Sequence, residues 1–162
     1  MHTKKVARAV ILTAAAVALS PFFIPVGITK CFPAQHMINV LSAVMLGPGY
    51  AVGIAFSAAF LRNILGLGTL LAFPGGMIGA LLAGVAYRLT HSVIAAGAGE
   101  IVGTGLLGAM ASAWLIGPML LGKPMALATL VIAFSLSTIA GTVLGIVVLH
   151  VLRRGKIWQP LN

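Results

Sequence analysis

The chain has 162 residues, of which 60% are hydrophobic and only 7% charged, and ten Lys and Arg stand against a single acidic residue. Soluble domains average about 25% charged residues, so this is the composition of a membrane protein and leaves no room for a soluble catalytic domain. The net charge of +9 sits at the ends of apolar runs, which assigns it to membrane topology rather than to nucleic acid.

Those runs follow one another as Val6–Ile24, Met37–Leu46, Tyr50–Leu61, Ile64–Tyr87, Ser92–Leu121 and Met125–Leu152. A bilayer span takes about 20 apolar residues, so six spans use roughly 120 and leave roughly 40 for loops and tails. The expectation is an all-α integral membrane protein, a six-helix transmembrane bundle forming one domain over residues 1–162. MHTKKVARAV looks like the basic start of a signal peptide, but the long apolar segment and the further spans predict an uncleaved first helix. Lys4, Lys5, Arg8, Arg88, Arg153, Arg154 and Lys156 fall on one face, and Lys30, Arg62 and Lys123 on the other. The positive-inside rule then places both termini in the cytoplasm. The lone Cys31 rules out an internal disulfide.

The second run opens with FPAQHMIN and is short. From Gln35 to Leu46 a helix covers roughly 18 Å, well under a hydrocarbon core of about 30 Å. Either its polar start lies below the outer membrane surface or the preceding loop dips inward; irregular backbone at that depth must be buried or line a cavity, which places the FPAQHMIN corner in a hollow open to the outside. Small residues recur at four-residue spacing, as in Ala14/Ala18, Gly49/Gly53/Ser57, Gly75/Gly79, Gly99/Gly103 and Gly141/Gly145, the pattern that lets membrane helices approach closely.

Glu100, in AGAGEIVGTG, is the only carboxylate side chain. An ionisable group inside a span is expensive unless paired, hydrated or protonated, which marks it as a site candidate. Thr104 lies one turn on, on the same face, and neighbouring glycines clear space around both. The plainer role for Glu100 is an internal tie to Arg62 or His36. Gln35, His36 and Asn39 are spaced so that pairs share a helix face, and they offer neutral donors and acceptors suited to a small polar heterocycle. Their plainer role is inter-helix hydrogen bonding. Arg62 and Asn63, in AFLRNILGLGTLLAFPGG, either reach the outer interface or, with Thr69, wall the same hollow. Lys30 and Phe32 precede the second span as parts of a lid, where an aromatic ring would stack on a flat ligand. Trp114, Tyr50, Tyr87 and Trp158 read as interfacial anchors.

Other chemistry finds no support. The pairs Gly122–Lys123 and Gly155–Lys156 are followed by Pro124 and Ile157, so there is no phosphate loop and no built-in ATP engine. Four scattered His, one Cys and one Glu give no metal-ligand spacing, and no serine has a base in motif context. The reading is therefore no metal, no cofactor and no enzyme.

KCFPAQHMIN and RNILGLGTLLAFPGGMIGALLAG, continued by GEIVGTGLLGA, resemble the ThiW family, the substrate-binding S component of an energy-coupling-factor (ECF) transporter. The resemblance covers most of the chain. It implies six helices, uptake of the thiamin precursor hydroxyethylthiazole (a thiazole alcohol), and work with a transmembrane coupling protein and two ATPase subunits. It also implies that small residues on the first helix meet the coupling protein, here Ala14 and Ala18, with Ala7 and Ile11 continuing a neighbouring stripe, and that the S component topples to carry its pocket across the membrane lipid. On that reading Phe32 stacks on the thiazole, Gln35, His36 or Asn39 bonds its nitrogen, and Glu100 or Thr104 takes the hydroxyl. The phosphate ester and the pyrimidine half of thiamin stay open as ligands. Against this stand an autonomous proton-coupled transporter using Glu100, a lipid-acting membrane enzyme, and a scaffold that binds no small molecule.

Overall fold

The computed structural model describes residues 2–26 and 29–155; Lys156 and Trp158 lie outside the described residues, as does the Lys30 side chain. Six helices follow in chain order: α1 (His2–Ala18), α2 (Pro33–Leu46), α3 (Pro48–Ile64), α4 (Ala72–Thr90), α5 (Val93–Leu120) and α6 (Leu127–Arg154). Between α1 and α2 runs a two-stranded antiparallel ribbon, β1 (Ile24–Val26) and β2 (Thr29–Cys31), in which Ile24 faces Cys31 and Val26 faces Thr29. The ribbon departs from the otherwise helical expectation, which carried the first apolar run on to Ile24. Helix α1 stops at Ala18 instead. Ser20 Oγ donates to Ala16 O at 2.7 Å, and Pro21 and Pro25 cannot supply the N–H groups that a longer helix needs.

Helix α2 is the hub. Its 14 residues span about 21 Å, too short for the bilayer core. The short length is tolerated because protein, not lipid, surrounds it: eleven of its residues are buried and it touches all five other helices. Pro33 and Pro48 stand at the first positions of α2 and α3, where a missing N–H is harmless. Gly47 makes the sharp turn between them at φ 90°, a conformation that a Cβ disfavours.

Among the described residues, α4, α5 and α6 are each long and apolar enough to cross a membrane, with mean hydropathies of 1.3, 1.5 and 2.2. Helices α1 and α3, with 17 residues each, fall short of the roughly 20 that a span uses. Helix α4 starts at Ala72 rather than near Ile64. Gly66 adopts φ 69°, and the Asn63 amide donates to Ala59 O at 2.8 Å and Thr69 O at 3.2 Å, folding residues 65–71 into a turn.

Because the helices alternate in direction, the first and last described residues lie at one end of the bundle. There Arg153 Nη2 donates to Tyr87 Oη at 3.3 Å, and Lys5 shares a pocket with Arg88 and the Gly47 turn. The bundle interior near this end is apolar, closed by Val40, Ala43, Leu46, Ala80, Ala83, Ala96 and Leu149.

Helices α4 and α5 meet along matched four-residue series. A Cβ on Gly79 would meet Glu100 Oε2 at 2.7 Å; Gly108 lies against the Gly75 Cα; and Ser112 Oγ donates to Leu71 O at 3.1 Å. In a regular helix of 3.6 residues per turn, a strict four-residue step drifts about 40° around the axis. Helix α5 carries π-helical turns at Gly103–Gly108 and Ser112–Ile116. These wider turns absorb the drift and keep Glu100, Thr104, Gly108 and Ser112 facing α4.

Candidate functional site

Glu100 lies on α5 just before the first π-helical turn and is 0% exposed. Its Oε1 is approached by three groups: His36 Nδ1 at 2.9 Å, Asn39 Nδ2 at 3.0 Å and Thr104 Oγ1 at 3.0 Å. Helix geometry accounts for the set. His36 and Asn39 share a face of α2 three residues apart, and Thr104 follows Glu100 by four along α5. Asn39 Nδ2 also donates to Gly76 O at 3.2 Å, so α4 backbone anchors it, and the one proton of the Thr104 hydroxyl is shared between Glu100 Oε1 and Gly75 O, each 3.0 Å away. A carboxylate accepting such bonds makes them stronger than neutral ones. Among the described residues Glu100 Oε2 has no hydrogen-bond partner, and it sits beside Gly79, where only a hydrogen leaves room. With Nδ1 engaged by Glu100, Nε2 is the His36 nitrogen left for other partners.

In front of this cluster, at the end of the bundle opposite the chain ends, is a cavity of about 260 Å³. Phe32, Gln35 and His36 wall it from the start of α2, Arg62 from the end of α3, and Thr69 from the α3–α4 turn. Thr104 enters from α5, Phe134 and Ser137 from α6. Arg62 is only 2% exposed. Its Nη1 donates to Gln35 Oε1, its Nη2 reaches Leu67 O at 3.4 Å, and its guanidinium carbon stands 4.9 Å from the Phe32 ring centroid. Arg62 Nε has no protein partner. The interfacial alternative for Arg62 is thereby corrected: the side chain turns inward because Gln35 and Phe32 offer it an acceptor and a ring face inside the bundle. Phe32 is itself held by its backbone N–H, which donates to Ser137 Oγ at 3.3 Å.

A larger groove of about 650 Å³ runs between α1 and α3, but its walls are mainly apolar and small side chains and carry no charge. Hydrogen-bonding groups converge in the smaller cavity, which is therefore the candidate site. Phe32, Gln35, His36, Arg62, Thr69 and Thr104 line it. Asn39 and Glu100 stand behind His36 and Thr104 and hold them. Asn63 is not on the cavity wall; its amide is spent on the α3–α4 turn. Phe134 and Ser137 were not anticipated. The signal for them was the recurrence of Ser137, Thr138, Gly141 and Thr142 within an otherwise oily helix, and all four are buried. On α1, Ala7, Ile11, Ala14 and Ala18 are all exposed, at spacings of four, three and four that give one continuous stripe.

A family model described as thiamine-precursor transporter protein (ThiW) matches residues 6–155. The chain belongs to the ThiW family. It is accordingly a multi-pass plasma-membrane transport protein and not an enzyme. Among solved structures it is similar to one described as "Structure and mechanism of the S component of a bacterial ECF transporter", with a TM-score of 0.80 and 15% identity over 95% of this chain and 98% of that one. At that identity the likeness is one of fold. No curated protein matches the chain. A ThiW-family chain with the S-component fold is a substrate-binding transporter subunit.

Proposed function

We propose that the chain is the S component of an ECF importer, binding hydroxyethylthiazole from outside the cell and delivering it inward with a coupling protein and two ATPase subunits. The carrying observation is the 260 Å³ cavity, a little smaller than the roughly 300 Å³ at which drug-sized sites begin, walled by two phenylalanines, one imidazole, one guanidinium and neutral polar groups. Such a wall suits a flat ring of a few polar atoms. Phe32 and Phe134 offer ring faces, Arg62, with Gln35, Thr69 and Ser137 around it, donates to the thiazole nitrogen, and His36 Nε2, the acceptor nitrogen when Nδ1–H is given to Glu100, accepts from the hydroxyl. Asn39 and Glu100 act through His36 and Thr104. Asn63 holds the turn that carries Thr69.

The basic residues at the end bearing the chain termini support a cytoplasmic placement of both, which leaves the cavity facing outward. The apolar layer of Val40, Ala43, Leu46 and Leu149 beneath Glu100 supports coupling to an outside motor, because it offers neither a solute nor a proton a polar route to the other face. The exposed stripe of Ala7, Ile11, Ala14 and Ala18 is the coupling-protein surface in this reading.

Isothermal titration of the purified chain tests the cargo. Wild type is expected to bind hydroxyethylthiazole, and His36→Ala and Phe32→Ala to bind it at least about tenfold more weakly, the loss expected for about 1.4 kcal/mol. Wild type that binds nothing, or variants that bind as wild type does, would remove the assignment. The autonomous proton-coupled reading predicts uptake by the chain alone in liposomes under a pH gradient, abolished by Glu100→Gln. Uptake that needs added coupling and ATPase subunits excludes it.

A further inference from the structure

The end of the bundle that bears the chain termini holds a separate pocket of about 480 Å³. Lys5 from α1 and Arg88 and His91 from the end of α4 stand on its walls, and the α2–α3 turn at Gly47 and Pro48 forms another side. Val44 and Leu46 add an apolar wall. His91 caps α4 in the left-handed conformation, φ 53°, with its ring edge-on to Tyr87 at 6.2 Å between centroids. Tyr87 Oη accepts from Arg153 Nη2, which draws a further cation from α6 toward the same place.

No carboxylate side chain of the chain balances these groups. Glu100 is the single acidic residue, and it is buried among His36, Asn39 and Thr104. Among the described residues, the side chains of Lys5 and Arg88 have no hydrogen-bond or ion-pair partner. Membrane topology explains why cations lie at this end, but not why two helices set them around one cavity with an apolar wall.

We propose that this pocket is a phosphate-binding site, filled either by the headgroup of an anionic phospholipid or by a soluble phosphate. A phosphate supplies the missing charge and several acceptor oxygens, and Lys and Arg at a membrane surface each strengthen such binding about fivefold. The apolar wall gives a lipid the advantage, since it can receive the first part of an acyl chain.

Native mass spectrometry of the detergent-purified full chain tests this with phosphatidylglycerol, phosphatidylcholine and inorganic phosphate in turn. Wild type should retain phosphatidylglycerol in preference to phosphatidylcholine, and a Lys5→Gln/Arg88→Gln variant should hold it about 30-fold more weakly, two fivefold contributions lost together. Inorganic phosphate that raises the unfolding temperature of wild type and not of the variant would support the site with a soluble ligand. Lys123→Gln, at the opposite end, is the control and should behave as wild type. Equal retention of both lipids with no phosphate effect, or equal behaviour of wild type and the double variant, overturns the proposal. Hydroxyethylthiazole titrations on the same variants should be unchanged, so failure here is separable from failure of the transport reading.

Discussion

Replacing Glu100 probes the support of the cavity most directly. In membrane proteins a side-chain hydrogen bond between helices contributes on average about 0.6 kcal/mol, and bonds to an ionised acceptor are about twice as strong. Three donors on Glu100 Oε1 then amount to roughly 3–4 kcal/mol, which Glu100→Ala removes while leaving His36, Asn39 and Thr104 facing an empty space. Glu100→Gln keeps the shape and one acceptor oxygen. It loses the charge and sets an amide against Gly79, where Oε2 has no partner, so about half the loss, roughly 2 kcal/mol, is expected. Thermal unfolding in detergent should therefore rank wild type above the Gln variant and the Gln variant above the Ala variant. Titration of the thiazole alcohol should show the Gln variant weakened about tenfold through a misplaced His36. A Gln variant as stable as wild type and equal in affinity would refute the argument that the carboxylate's charge organises the site.

Three other substitutions separate packing, partner and ligand roles. Gly79→Ala drives a Cβ into Thr104 Oγ1 and to 2.7 Å from Glu100 Oε2 and should destabilise the bundle by about 1–3 kcal/mol, whereas Gly53→Ala, which meets open space inside α3, should leave unfolding unchanged or slightly raised in the same melt. Ala14→Trp and Ala18→Trp, on the exposed side of α1, should leave titrated ligand affinity intact but stop co-purification with the coupling protein; undisturbed assembly would move the docking surface elsewhere. Arg62→Lys should lower affinity at least about tenfold, because a single ammonium cannot serve Gln35 and Leu67 together while standing over the Phe32 ring.

Much of this architecture is written in local composition. Long apolar stretches and their basic ends mark the helices, and the brevity of Gln35–Leu46 marks the start of α2 as bordering a hollow, while its enclosure by the other five helices shows only in the packing. The polar letters Gln35, His36, Asn39 and Glu100 stand out because each is a rarity in an oily chain, and Thr104 because it follows Glu100 by one turn. Ser137 shows only as part of the run Ser137, Thr138, Gly141 and Thr142, and Phe134 does not stand out at all, since a phenylalanine is ordinary in a membrane helix and only the packing of α6 on α2 turns it inward. Asn63 misleads for the opposite reason: a conspicuous amide beside Arg62 spends its hydrogens on Ala59 and Thr69 carbonyls, a local satisfaction that spacing does not reveal. The ribbon at Ile24–Cys31 is hidden because its strands are only three residues each, too short for an alternating pattern to register.

The loosened winding of α5 has a consequence for insertions and deletions. Each wide turn holds one residue more than a regular turn, so removing one residue between Gly105 and Leu107 would let the helix tighten into ordinary α-winding, with seven residues or about 700° from Glu100 to the former Gly108, within about 20° of two full turns. Gly108 would still face Gly75 and Ser112 would still face Leu71, whereas the same deletion in the regular winding of Val93–Glu100 would rotate everything beyond it by about 100°. The wide turns are thus places where α5 can lose a residue and keep its face toward α4.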